Sequence, residues 1–260
     1  MRVDVAAASH VGRVRKLNED SYLLSDAGLA VVADGMGGHA CGDVASAMAI
    51  ASFEHFSPEA PPTPGLLLEA VRAANQRILS EAAANPEKAG MGTTITGLAA
   101  VAQGGVPHWF VFNVGDSRTY RYADHRLTQV TVDHAEIAEL IAAGSIDPSE
   151  ARSHPLRHVI TRALGSEPAE PDTWIMPAEG AEVFVLCSDG LPNEVTDEQI
   201  ADILSGTSSA RDAADELVSA ALLAGGRDNV TVIVVRSDAD RPEETKTATL
   251  PRADLFKDVS

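Results

Sequence analysis

The sequence predicts an α+β fold in which antiparallel sheets carry helices on their outer side. Three observations lead there. Short apolar runs rich in Val, Ile and Thr recur along the chain, helical patterns stand in pairs between groups of them, and one block of strands is joined by short polar turns. The regular strand-helix alternation that a doubly wound parallel sheet needs is missing.

Taken in order, Val3–Ser9 and Gly28–Ala33 are apolar runs of strand length. Gly42–Phe56 and Gly65–Ala84 repeat apolar residues at helical spacing, with the Pro-rich Pro58–Pro64 as the loop between them. Thr93–Ala102 is a Thr/Ile/Val strand, and Val106–Val114 follows it after the turn signal Gln103-Gly104-Gly105. Ser117–Tyr122 and Arg126–Thr131 flank the polar turn Ala123-Asp124-His125 as a hairpin does. Asp133–Ala143 is helical and stops at Gly144. Glu182–Cys187 is a strand, Thr196–Leu204 and Ser209–Ala224 are helices, and Val230–Val235 is the last strand. One domain is expected over residues 1–236. Residues 237–260 hold six acidic and four basic residues with two prolines and no apolar period, so a mobile tail is expected.

The formal net charge of -18 argues against a phosphate-backbone partner, which wants a basic surface. It leaves anionic substrates open, because carboxylates can hold cations that reverse the local field. Cys41 and Cys187 are too few for a disulfide framework and read as buried, reduced thiols. No run approaches the ~18 apolar residues of a membrane span, and the N-terminus has no signal core. A cytoplasmic protein without nucleic-acid or membrane partners is the expectation.

The chemistry lies in carboxylates that sit where carboxylates are unusual. Asp34 follows Leu29-Ala30-Val31-Val32-Ala33, Asp116 follows Phe110-Val111-Phe112-Asn113-Val114, Asp189 follows Val183-Phe184-Val185-Leu186-Cys187, and Asp228 precedes Val230–Val235. Any one of these could be a turn residue. Four together need a neutralising cation, since clustered carboxylates repel and are costly to desolvate. Oxygen ligands suit Mg²⁺ or Mn²⁺, and no His/Cys set has zinc spacing.

Arg13-Val14-Arg15-Lys16-Leu17-Asn18-Glu19-Asp20, Asp34-Gly35-Met36-Gly37-Gly38-His39, Gly92-Thr93-Thr94, Gly115-Asp116-Ser117-Arg118, Asp133-His134, Ser188-Asp189-Gly190 and Asp228-Asn229 together resemble the protein phosphatase 2C (PPM) family. The motifs stand in the family's order, and the Asp-Gly-Met-Gly-Gly-His form resembles its bacterial branch, whose members oppose Hanks-type kinases. The resemblance implies two packed antiparallel sheets flanked by helices on both outer faces, an α-β-β-α sandwich. It implies a phosphoserine/phosphothreonine phosphatase that acts as a monomer through metal-activated water. Asp34 would bridge two core ions, the Gly35 carbonyl would ligate one, and Asp189 and Asp228 would complete the shell. Asp20, with Glu19 beside it, would act through water on the metals, and Asp116 would help hold a third, weaker ion. Arg15 would pair with the substrate phosphate. Residues 133–165, with His154 and His158, resemble the flap that bacterial members place beside the site. Met36 stands where animal relatives carry a proton-donating His, which leaves His39 or water for that task.

Other phosphatase chemistries lack their motifs. A cysteine nucleophile needs Arg six positions on, where this chain has Ala47 and Asn193. No Walker-type loop or Gly-x-Ser-x-Gly elbow is present. Two alternatives stay open at this point: an inactive module that binds phosphoproteins, and a phosphatase dedicated to an anti-sigma-factor antagonist.

Overall fold

The computed structural model describes residues 2–37, 41–147, 150, 154–178 and 180–238. His39 and residues 239–260, nearly all of the expected tail, lie outside them.

Two antiparallel sheets form the centre. One runs in the order β1 (Arg2–His10), β11 (Val230–Asp238), β10 (Ala181–Cys187), β7 (Arg118–Ala123), β8 (Arg126–Gln129). The other runs β2 (Asp20–Ser25), β3 (Leu29–Met36), β5 (Ile95–Gln103), β6 (Val106–Val114), β9 (Asp172–Pro177), with the two-residue β4 (Gly92–Thr93) pairing with β3. Ala30, Val32, Leu98, Trp109 and Val111 of the second sheet pack face to face against Phe184, Leu186, Ile233 and Val235 of the first. The outer face of the second sheet is covered by α1 (Gly42–Ala51) and α2 (Pro64–Ala84). That of the first is covered by α4 (Asp197–Gly206) and α5 (Ala210–Ala224). The short α3 (Glu136–Ala142) follows β8. The α-β-β-α sandwich expected from the resemblance is the architecture observed.

The helices begin where the chain offers caps. Thr63 accepts from the Leu66 amide with Pro64 at the first helical position, and Thr196 forms a reciprocal capping box with Gln199. Ser209 accepts from the Asp212 amide at the start of α5.

Four expectations are corrected. The helix expected to reach Phe56 ends at Ala51, because the Ser52 and Phe53 amides turn to i−3 carbonyls and Phe53 swings inward to stack on Phe112 at 5.5 Å. β2 gave no sequence signal because it is an edge strand, half-buried along nearly its whole length. β9, the other edge, alternates inward Trp174 and Met176 with an outward Ile175 and is bounded by prolines. Cys41 is half-buried rather than buried, while Cys187 is buried; both thiols are free.

Candidate active site

The aspartates meet because both sheets end at the same rim. β3 continues past its apolar run to Met36, so Asp34 lies inside the strand, directly opposite Asp20 of β2. Its backbone is held on both sides: the carbonyl accepts from the Thr94 amide at 2.9 Å and the Thr93 hydroxyl at 2.8 Å, and its amide donates to Thr94 Oγ1 at 3.2 Å. Asp116 sits in the β6–β7 turn beside Gly115, whose φ of +106° and close approach to Thr94 demand glycine. Asp189 follows β10, and Asp228 precedes β11. A Cβ on Gly190 would lie 1.9 Å from the Asn229 carbonyl, so glycine there lets the two turns close on each other.

Ser188 joins the sheets at this rim. Its hydroxyl accepts from the Thr231 amide at 3.0 Å and donates to Asp20 Oδ2 at 2.8 Å. Gly35 has a related constraint. A Cβ there would strike the Gly42 and Glu19 carbonyls, and one on Gly42 would meet the Glu19 carboxylate at 2.7 Å. Glycine at both positions brings the Gly35 backbone and Glu19 together at the start of α1.

This crowding sets the electrostatics. Asp34 is partly exposed as a residue, yet burial of its carboxyl and then the charges of Asp20, Asp189, Asp116 and Asp228 hold that group well above the usual range. Burial pushes Asp20 up to about 7, against hydrogen bonds from Thr231 and Ser188. Burial, then Asp189 and Asp133, push Asp116 up to about 7. Asp189 is raised by burial and by Asp228, with His158 and Asn193 acting against the shift.

A cleft of about 410 Å³ opens from this cluster, lined among others by Asp116, Asp133, His158, Asp189, Asn193 and Asp228. Arg15 reaches its edge from the segment between β1 and β2, half-exposed, with Nη2 2.8 Å from Asp228 Oδ2. His158 and Arg157 line the cleft from the 133–165 excursion, whereas His154 turns to the Leu156 amide. The excursion is tied down by His134, whose Nδ1 accepts from the Gly115 amide at 3.0 Å while its Nε2 lies 3.2 Å from Asp172.

Arg118 is a structural anchor that sequence reasoning missed. Nε and Nη2 both bond Asp133, at 3.0 and 2.6 Å, and Nη1 bonds the Tyr120 hydroxyl at 2.8 Å. Gln129 adds a bond to Asp133 at 2.7 Å. The Gly-Asp-Ser-Arg and Asp-His motifs are therefore two halves of one ion pair. Removing the guanidinium leaves Asp133 poorly solvated and unpaired, so Arg118→Ala should cost about 2–3 kcal/mol in chemical denaturation. A loss under about 0.5 kcal/mol, the range of surface changes, would contradict this.

The donor set suits hard divalent cations: carboxylates and a carbonyl, with Asp20 Oδ1 buried and without a hydrogen-bond partner. Among the described residues no three His, Cys, Asp or Glu side chains are gathered into a metal group.

A two-sheet sandwich with aspartates from both sheets at one rim is the architecture of the protein phosphatase 2C class. Residues 8–224 match that family, and the chain belongs to it. It is 43% identical over 232 residues to the serine/threonine protein phosphatase PstP of Mycobacterium tuberculosis, covering 88% of this chain and 44% of that protein. The serine/threonine phosphatase Stp of Listeria monocytogenes is 36% identical over 238 residues, covering 87% and 93%. The crystal structure of M. tuberculosis PstP/Ppp superposes with a TM-score of 0.84 at 38% identity, covering 91% of this chain and 99% of that one. A PstP catalytic domain in complex with two manganese ions gives 0.82 at 37%, with the same coverages.

Proposed function

We propose that this chain hydrolyses phosphoserine and phosphothreonine in proteins with Mn²⁺ or Mg²⁺ held at the aspartate rim. The observation that carries it is Asp34, surrounded by the charges of Asp20, Asp189, Asp116 and Asp228, the last three of which line the cleft. Two core ions would be held by Asp34, the Gly35 carbonyl, Asp189 and Asp228, and a third, weaker one by Asp116. When bound, such ions offset the charge of a phosphate monoester and acidify water at the site. The PstP domain with two manganese ions supports this choice of metal.

The chain's own residues do the rest. Asp20 is fixed by Ser188 through one oxygen, and its other oxygen, buried and without a hydrogen-bond partner, is an unused acceptor beside the rim. Arg15 uses one terminal nitrogen on Asp228, a residue that lines the cleft, and its remaining donors would grip two oxygens of a phosphate bound there. Met36 has no proton to give, so the proton for the leaving serine or threonine oxygen comes from water. His158 brings a basic group to the same cleft from the 133–165 flap. Asp34, Asp189 and Asp228 all stand at the rim, which favours the enzyme over an inactive phosphoprotein-binding module. The biological reading that follows is a cytoplasmic monomer in signal transduction, opposing a Hanks-type kinase and acting on its substrates.

Arg15→Ala tests the substrate-binding part. KM for a small phosphate ester should rise about tenfold with a smaller change in kcat. An unchanged KM would mean that Arg15 does not grip phosphate.

A further inference from the structure

Residues 11–19 form an arm between β1 and β2 that has no helix or strand, and little burial holds it: Val14 and Leu17 are 67% and 53% exposed. Yet the arm carries Arg15 and delivers Glu19 and Asp20 to the site. Its shape rests on polar bonds, and three of them come from one side chain. The Asn229 carboxamide, 5% exposed, accepts from the Glu19 amide at 2.9 Å and donates to the Val11 and Leu17 carbonyls, each at 2.9 Å. These bonds span both ends of the arm. The Arg13 amide adds a bond to the Gly226 carbonyl at 2.7 Å, and a Cβ on Gly12 would lie 2.2 Å from the Asp228 carbonyl, so the arm is pressed onto this loop.

We infer that Asn229 is a positioning residue: its carboxamide sets the arm so that Arg15 faces the phosphate position and Asp20 enters β2 opposite Asp34. Only a carboxamide supplies one acceptor and two donors in this pattern. The adjacent Asp228 side chain works differently, capping the Asn229 amide at 2.8 Å and pairing with Arg15. The inference rests on the role of Arg15 proposed above, and its test keeps the two apart.

In the unaltered protein, the Glu19 amide should exchange with solvent deuterium about tenfold more slowly than those of Val14 and Lys16. Equal rates overturn the inference. In folded Asn229→Ala, trypsin should cut after Arg13, Arg15 or Lys16 about tenfold faster than in the parent, mapped by mass spectrometry. Should Asn229→Ala fail to fold, Asn229→Asp keeps the shape and the acceptor for Glu19 but turns a carboxylate oxygen toward two carbonyls, and the same cleavage is read. An arm as resistant as the parent's in a folded variant overturns the inference. KM then gives the functional link: Arg15→Ala should add little once Asn229→Ala is present, and fully additive effects mean that the carboxamide does not act through Arg15. If Arg15→Ala alone leaves KM unchanged, the reading of Arg15 fails, and exchange and cleavage still decide whether Asn229 sets the arm.

Discussion

Asp34→Asn should fold, lose phosphopeptide hydrolysis by about 10³-fold, and melt at a higher temperature than the parent when metal is removed. The two effects have opposite signs for one reason. The Asp34 carboxylate is stripped of water and surrounded by four like charges. In the absence of cations the fold must either carry that charge or take up a proton above the ordinary carboxylate range, and both cost stability that an isosteric amide does not. With cations the carboxylate is the central ligand of the proposed site, and the amide binds them weakly. Turnover with phosphothreonine peptide and a melt in chelator read the two halves separately. A destabilised metal-free Asp34→Asn, or one that keeps most of its turnover, would contradict this account of the site.

The metal-free protein should also lose stability as pH rises from 5 to 7.5, by roughly 5–10 °C in melting temperature. Asp20 and Asp116 hold their protons in the fold up to about 7, whereas in the unfolded chain they release them near the ordinary carboxylate value of ~4. Between those values the folded state binds more protons than the unfolded one, so stability falls with rising pH. Asp34 and Asp189 shift in the same direction and add to the fall. His134, kept neutral by burial, opposes it as a single group. Asp172 is lowered, chiefly through Arg162 and His134 acting against its burial, and acts only at more acid pH. Excess Mn²⁺ should flatten the curve by neutralising the same carboxylates. A melting temperature that rises with pH in chelator would contradict the assignment of the shifts.

What the sequence revealed and what it hid have physical reasons. Strands buried on both faces, such as β6 and β10, announce themselves as apolar runs, and the aspartates at their ends were legible for the same reason. The edges β2 and β9 were not, since a half-buried strand needs no such run. That omission concealed the register that sets Asp20 against Asp34. The sequence motifs named the aspartates, but not the groups that fix them. Ser188 reaches Asp20 across 168 residues of chain, and Asn229 reaches Glu19 across 210. Arg118 and Asp133 stand in separate motifs, and only the β7–β8 hairpin shows that they pair. Such links depend on where the two sheets meet, which local periodicity does not encode.

The most direct test of the central claim is hydrolysis of a phosphothreonine peptide by the full chain, followed as Mn²⁺ is titrated into chelator-treated enzyme. The account predicts no turnover in excess EDTA and recovery of activity as the carboxylate rim fills. Full activity in EDTA would contradict it, because water would then be activated without any ion at the carboxylates.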